Sequence, residues 1–229
     1  MLDAVFWGTM IPLFFLILLL KGENRLMMLF FAWGMVAFAL SLTVNDLVLK
    51  QGGLPVSELS VTWAPIIEEF FKALPLLYFL VRREKTAFPL FTFALAAGIG
   101  FSIQENYMYL FSQASAESSL TFYVILRSIT ACLMHGMATG ILGFGLSLIK
   151  EFNMMVMPLL FGLFSVSIIL HALFNLYIAS GARLVGMLMP LLLYMVSAAV
   201  LYQGNILKTG TQKDGQEPDT HSPLPVEKQ

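Results

Sequence analysis

Long apolar runs separated by short polar segments dominate the chain. Seven stand out, at residues 4–20, 26–45, 59–81, 87–111, 120–149, 154–179 and 182–202. A hydrocarbon core about 30 Å thick takes about 20 residues of α-helix to cross, and each run is near or above that length. A helix satisfies every backbone N–H and C=O within its own segment, so the runs predict spanning helices. The expected fold class is all-α, a polytopic membrane bundle of seven spans. Between the runs lie Lys21 to Arg25, Asp46 to Glu58, Arg82 to Thr86, the segment 112–119, Lys150 to Asn153 and Ser180 to Ala182.

From Gln203 the pattern changes to Lys, Asp, Gln, Gly and Pro, a composition that cannot bury a core. The expected division is a transmembrane domain over 1–202 and a disordered cytoplasmic tail over 203–229. The first run lacks a basic start and a small-residue cleavage site, so it reads as a retained anchor rather than a signal peptide. With the N-terminus outside, the inner segments hold nine basic residues: Lys21, Arg25, Arg82, Arg83, Lys85, Lys150, Lys208, Lys213 and Lys228. The outer ones hold two, Lys50 and Arg183. Cytoplasmic loops collect Lys and Arg, so the expected orientation is N-out, C-in, in a cell membrane.

Composition agrees. Hydrophobic residues make up 58% of the chain and charged ones 12%, where soluble domains carry about a quarter. Mean hydropathy is +0.81. A net charge of −1 argues against nucleic acid as a partner. The single cysteine, Cys132, excludes an intrachain disulfide and a zinc site built on several thiolates. Small residues cluster at Ala96, Ala97, Gly98 and Gly100 and at Gly136, Gly140, Gly143 and Gly145, which predicts close helix packing. No internal repeat suggests an inverted-repeat transporter.

Charges inside the spans narrow the picture, because each costs about 3 kcal/mol on insertion scales. The third run carries Glu68, Glu69 and Lys72; the fourth carries Glu105 beside Gln104 and Asn106; the fifth, Arg127 and His135; the sixth, His171 and Asn175. These seven ionisable groups fall in four consecutive runs, with none in the interior of runs one, two or seven, Arg183 standing at the outer edge of run seven. At about 1.5 Å of rise per residue, Glu68, Glu105 and His171 lie roughly 14, 9 and 12 Å from the outer ends of their spans, and His135 lies roughly 12 Å down when the hydrocarbon part of the fifth span begins near Arg127. One polar layer in the outer half of the membrane is expected, with runs one, two and seven as apolar packing.

Glu68 and Glu69 can both reach Lys72, four and three residues on, but point about 100° apart around the helix. One can face a site while the other pairs with Lys72. Two carboxylates this close in a low dielectric do not both ionise freely, which suits one of them to acid–base work. His171 and Asn175 share a face, so Asn175 can hold the imidazole or a substrate carbonyl. Arg127 is expected to anchor at the interface.

The series Glu68-Glu69-x-x-Lys72, Phe101-x-x-x-Glu105-Asn106, His135 and His171-x-x-x-Asn175 resembles the motifs of PrsW-type intramembrane proteases. These share a clan with the type II CAAX prenyl endopeptidases and the Aph subunit of γ-secretase. The resemblance covers about residues 60–180. It implies a peptidase that cuts membrane-anchored proteins, among them anti-sigma factors, near the extracytoplasmic side of a bacterial membrane. CAAX enzymes carry Glu-Glu-x-x-x-Arg and a histidine where this chain has Glu105, so prenylated substrates are not expected.

The working mechanism is hydrolysis by a water that Glu68 or Glu69 activates, without a committed cofactor. His171, with Asn175 and His135, would stabilise the oxyanion. Glu105 and Asn106 would orient the water or pair with Arg127, and Lys72 would tune the glutamates. A metal-dependent version would hold Zn²⁺ on His135, His171, Glu69 and Glu105, although the His-Glu-x-x-His pattern is absent. The rival readings are a proton- or ion-coupled carrier and a non-catalytic scaffold of the Aph type.

Overall fold

The computed structural model describes residues 2–81, 90–113, 120–152 and 156–214. They form α1 (Leu2–Leu19), α2 (Gly22–Gly52), the short α3 (Val56–Val61), α4 (Trp63–Val81), α5 (Leu90–Gln113), α6 (Leu120–Phe152), α7 (Val156–Ala179) and α8 (Arg183–Asp214). No strand occurs among the described residues, so the all-α class holds. The chain divides into two units, Met1–Leu191 and Leu192–Gln229. The site lies wholly in the first. In the second, the described residues continue α8, which runs helical to Asp214; the rest of the expected tail lies outside the described residues.

Among the described residues, three segments are long and apolar enough to cross a membrane: Gly22–Gly52, Val124–Ser147 and Met157–Ala179. Two shorter apolar stretches occur at Gly8–Leu19 and Arg183–Ser197. The expected third and fourth spans, α4 and α5, fall short for a chemical reason. One carries Glu68, Glu69 and Lys72, and the other carries Gln104, Glu105 and Asn106. Large apolar side chains such as Phe15, Phe122 and Phe161 are exposed, as lipid contact requires.

The sequence explains where helices end and how closely they approach. Gly53 closes α2 in the left-handed region (φ +61°), and its N–H reaches the Leu49 carbonyl at 3.3 Å. The chain then turns through Pro55 into α3. α2 and α5 meet backbone to backbone: a Cβ on Gly34 would lie 1.9 Å from the Ala97 carbonyl oxygen, and one on Gly100 would lie 2.1 Å from that of Phe31. α5 and α6 meet likewise, where a Cβ on Gly98 would fall 2.2 Å from the His135 carbonyl oxygen. The small residues therefore form a seam, flanked by Phe30 and Phe93, stacked at 5.4 Å, and by buried Leu90, Leu142 and Leu146.

α4 is set by a different device. Pro75 has no N–H, so the carbonyl of Phe71, four residues back, loses its helical donor. Trp33 on α2 donates its indole N–H to that carbonyl at 2.9 Å. This bond satisfies a group that hydrocarbon would leave unpaired, and it clamps to α2 the turn that carries Lys72.

Candidate active site

Four helices bring the sequence-predicted residues together. Lys72 is fully buried and donates to the Glu69 carboxylate and, at 3.1 Å, to Nδ1 of His135. Its ammonium also lies 4.6 Å from the centre of the Phe101 ring. An ammonium only donates, so Nδ1 of His135 accepts and Nε2 carries the hydrogen. Nε2 donates that hydrogen to the Glu105 carboxylate at 3.0 Å. Glu105 also accepts from Arg127 at 2.8 Å. Arg127, expected as an interfacial anchor, is instead largely buried against Glu105 and stacks 3.5 Å from the centre of the Tyr109 ring.

Glu69 organises the other half. A carboxylate accepts, so Nδ1 of His171 donates to it at 2.9 Å. Thr139 completes the shell, with its hydroxyl 3.3 Å from Glu69 and 3.0 Å from the His135 carbonyl oxygen. With Nδ1 engaged, Nε2 of His171 faces Oε2 of Glu68 at 3.6 Å. That oxygen is buried and has no hydrogen-bond partner among the described residues. The two imidazoles meet edge to face, 4.7 Å between centroids.

The paired glutamates thus diverge in role. Glu69 is saturated by Lys72, His171 and Thr139, whereas Glu68 presents an unsatisfied oxygen to an imidazole nitrogen. Asn175 lies apart from the imidazoles and donates to the Ser60 carbonyl at 2.8 Å, tying α7 to α3. Asn106 is half-buried, and its Oδ1 has no hydrogen-bond partner among the described residues. Sequence reasoning missed Thr139, although it sits one turn from His135 on the same face. It also missed α3, whose backbone Asn175 holds.

Glu68, His135 and His171 each offer one donor atom, and these lie within 4.8 Å of one another. This trio takes Glu68 where the metal-dependent sequence reading names Glu69 and Glu105. It suits a divalent metal: an orphaned carboxylate oxygen beside an imidazole whose far nitrogen is oriented by a carboxylate is the usual arrangement around zinc. Of the trio, Glu68 lines a cavity of about 250 Å³, together with Ala64, Phe101, Glu105, Tyr109 and Asn175 among others.

Comparison with known proteins yields one family. The family described as PrsW family intramembrane metalloprotease matches over residues 22–202, which takes in α2 to α7 and every site residue named above. No curated protein and no solved structure matches the chain.

Proposed function

This chain belongs to the PrsW family of intramembrane metalloproteases, and from that premise we propose that Glu68 and His171 form the reacting edge of its site. The carrying observation is the unsatisfied Oε2 of Glu68, 3.6 Å from Nε2 of His171, beside a cavity that a peptide can fill. A water between these atoms gives its proton to Glu68, which later returns it to the leaving amine. Glu69 fixes the His171 ring through Nδ1. His135, held between Lys72 and Glu105, forms the opposite wall, with its one N–H given to Glu105.

Glu68 and the free Nε2 of His171 would hold the divalent metal, Zn²⁺ by donor type, and His135 would join them by releasing Lys72 from Nδ1. Bound there, it would supply Lewis-acid polarisation of the scissile carbonyl and a more acidic water. Lys72 and Thr139 then serve to hold Glu69, and through it the His171 ring, in place.

The substrate is a membrane-anchored protein, an anti-sigma factor by family likeness, cut near the extracytoplasmic side of a bacterial membrane. Seven spans in the N-out, C-in orientation accord with this, since nine of the basic residues outside the spans then face inward and two outward. The test is quantitative proteomics of wild-type cells against a Glu68→Gln strain. The expected result is one single-span protein that stays full length in the variant. Identical fragments in both strains would sink the proposal. Metal analysis of the purified protein separates the two chemistries: stoichiometric zinc whose removal abolishes cleavage rules out a glutamate-only site.

A further inference from the structure

α2 was expected to be apolar packing, yet part of it faces the cavity. Phe38, Ser41, Leu42, Asn45, Asp46 and Leu49 line one wall, and Glu68 and Glu105 belong to the same lining. Ser41 and Asn45 stand one turn apart on one face. Ser41 is 1% exposed, and its Oγ has no hydrogen-bond partner among the described residues. Oδ1 of Asn45 is buried and unpartnered in the same way. A buried polar oxygen left unmatched costs about 1–3 kcal/mol, and a helix in lipid gains nothing from two of them.

We propose that Ser41 and Asn45 bind the backbone of the substrate, held extended across the cavity so that its scissile bond meets Glu68. The spacing fits. Four residues of helix advance about 6 Å, and two residues of extended chain advance about 6.7 Å. Two partners one helical turn apart therefore meet the same edge of a strand, where N–H and C=O groups recur every second residue. A substrate span must unwind before it is cut, and its freed backbone groups need partners at membrane depth. Asn45 Oδ1 accepts a substrate N–H, and the Ser41 hydroxyl bonds to the neighbouring repeat. Phe38, Leu42, Leu59, Ala64, Phe101 and Met108 surround them with apolar surface, so the bound segment carries an apolar side chain near the scissile bond. The class of ligand is thus an extended, apolar polypeptide read through its main chain. This rests on the protease reading of the same cavity.

Main-chain recognition tolerates any unfolded polypeptide, so fluorescein-labelled β-casein serves as the probe. Its binding to full-length Glu68→Gln protein in micelles is read by anisotropy, and its cleavage by the protein with Glu68 intact is read as kcat and KM. Ser41→Ala and Asn45→Leu, made in both backgrounds, should each weaken binding and raise KM about fivefold to tenfold, the worth of one net hydrogen bond. In both variants kcat should stay within about twofold, and so should the micellar melting behaviour. Should Asn45→Leu fail to fold, Ser41→Ala decides alone. Unchanged binding and KM with normal cleavage would overturn the α2 site and leave the protease reading standing. Weakened binding with no cleavage by any version would uphold the α2 site and refute the chemistry. Casein that does not bind at all would overturn the inference.

Discussion

The seam between α2, α5 and α6 and the chamber among α4, α5, α6 and α7 share two helices but hold together by opposite means. At the seam, backbones touch because glycine removes the side chains between them: Gly34 against Ala97, Gly100 against Phe31, Gly98 against His135. In the chamber, long polar side chains fill the gap and satisfy one another, with Lys72 between Glu69 and His135 and Glu105 between His135 and Arg127. Gly98 and His135 join the two, since the approach that places the His135 backbone against α5 also places its ring against Glu105. Van der Waals contact in the seam sets the geometry in which the chamber's hydrogen bonds can form.

The sharpest break of this comparison removes the chemistry and spares the packing. Glu68→Gln should lower cleavage at least about 10³-fold while the melting midpoint in micelles stays put, because Oε2 of Glu68 makes no hydrogen bond that the amide would lose. A large fall in midpoint alongside the lost activity would mean that Glu68 is structural.

Lys72→Met tests the chamber's stability. It leaves Glu69 buried without its cation, for which about 3–5 kcal/mol is the usual cost. Denaturation from mixed micelles should show the loss, and adding Glu69→Gln should recover part of it. Gly98→Ala tests the seam. The new methyl meets the backbone of His135 and Gly136 rather than a yielding side chain, so the helices must separate, at about 1–3 kcal/mol or more. Because His135 moves with the seam, Gly98→Ala should also lower activity, although it touches no site residue's side chain. A variant with full activity would uncouple the regions.

How much of this the sequence disclosed follows the same division. The chamber's members were legible because charge in an apolar run is costly and so conspicuous: Glu68, Glu69, Lys72, Glu105, His135 and His171 needed no structure to be named. Their division of labour was not legible. Adjacent glutamates look alike in sequence, and only the approach of Lys72, His171 and Thr139 separates Glu69 from Glu68. Thr139, Ser41 and Asn45 stayed hidden because single uncharged polar residues are common in helices and signal nothing until their partners, or the want of them, are known. The glycines predicted a seam without saying which helix each would meet. α3 is split in the sequence reading between the polar segment Asp46 to Glu58 and the third run, because its second half borders apolar residues, whereas Thr62 sits in a turn between α3 and α4.

Trp33 sharpens the comparison at smaller scale, since it carries a polar bond across the seam's own helix. Trp33→Phe keeps an aromatic ring and deletes the donor, leaving the Phe71 carbonyl unpaired because Pro75 cannot supply one. The expected loss is about 1–2 kcal/mol. Restoring the helical donor with Pro75→Ala in the same chain should return most of it, a non-additivity that a double-mutant cycle measures directly. Independent effects would show that the bond does not compensate the proline.

The smallest expected effect is the control for the seam. Gly162 lies on an exposed face of α7, and a Cβ there would meet nothing within 4 Å. Gly162→Ala should therefore leave stability unchanged or raise it by up to about 1 kcal/mol, the helix preference for alanine. If close backbone approach makes Gly98 irreplaceable, the same substitution must be harmless where nothing approaches. A loss at Gly162 equal to that at Gly98 would mean that glycine serves these helices through backbone flexibility. The seam would then have to be explained by something other than contact.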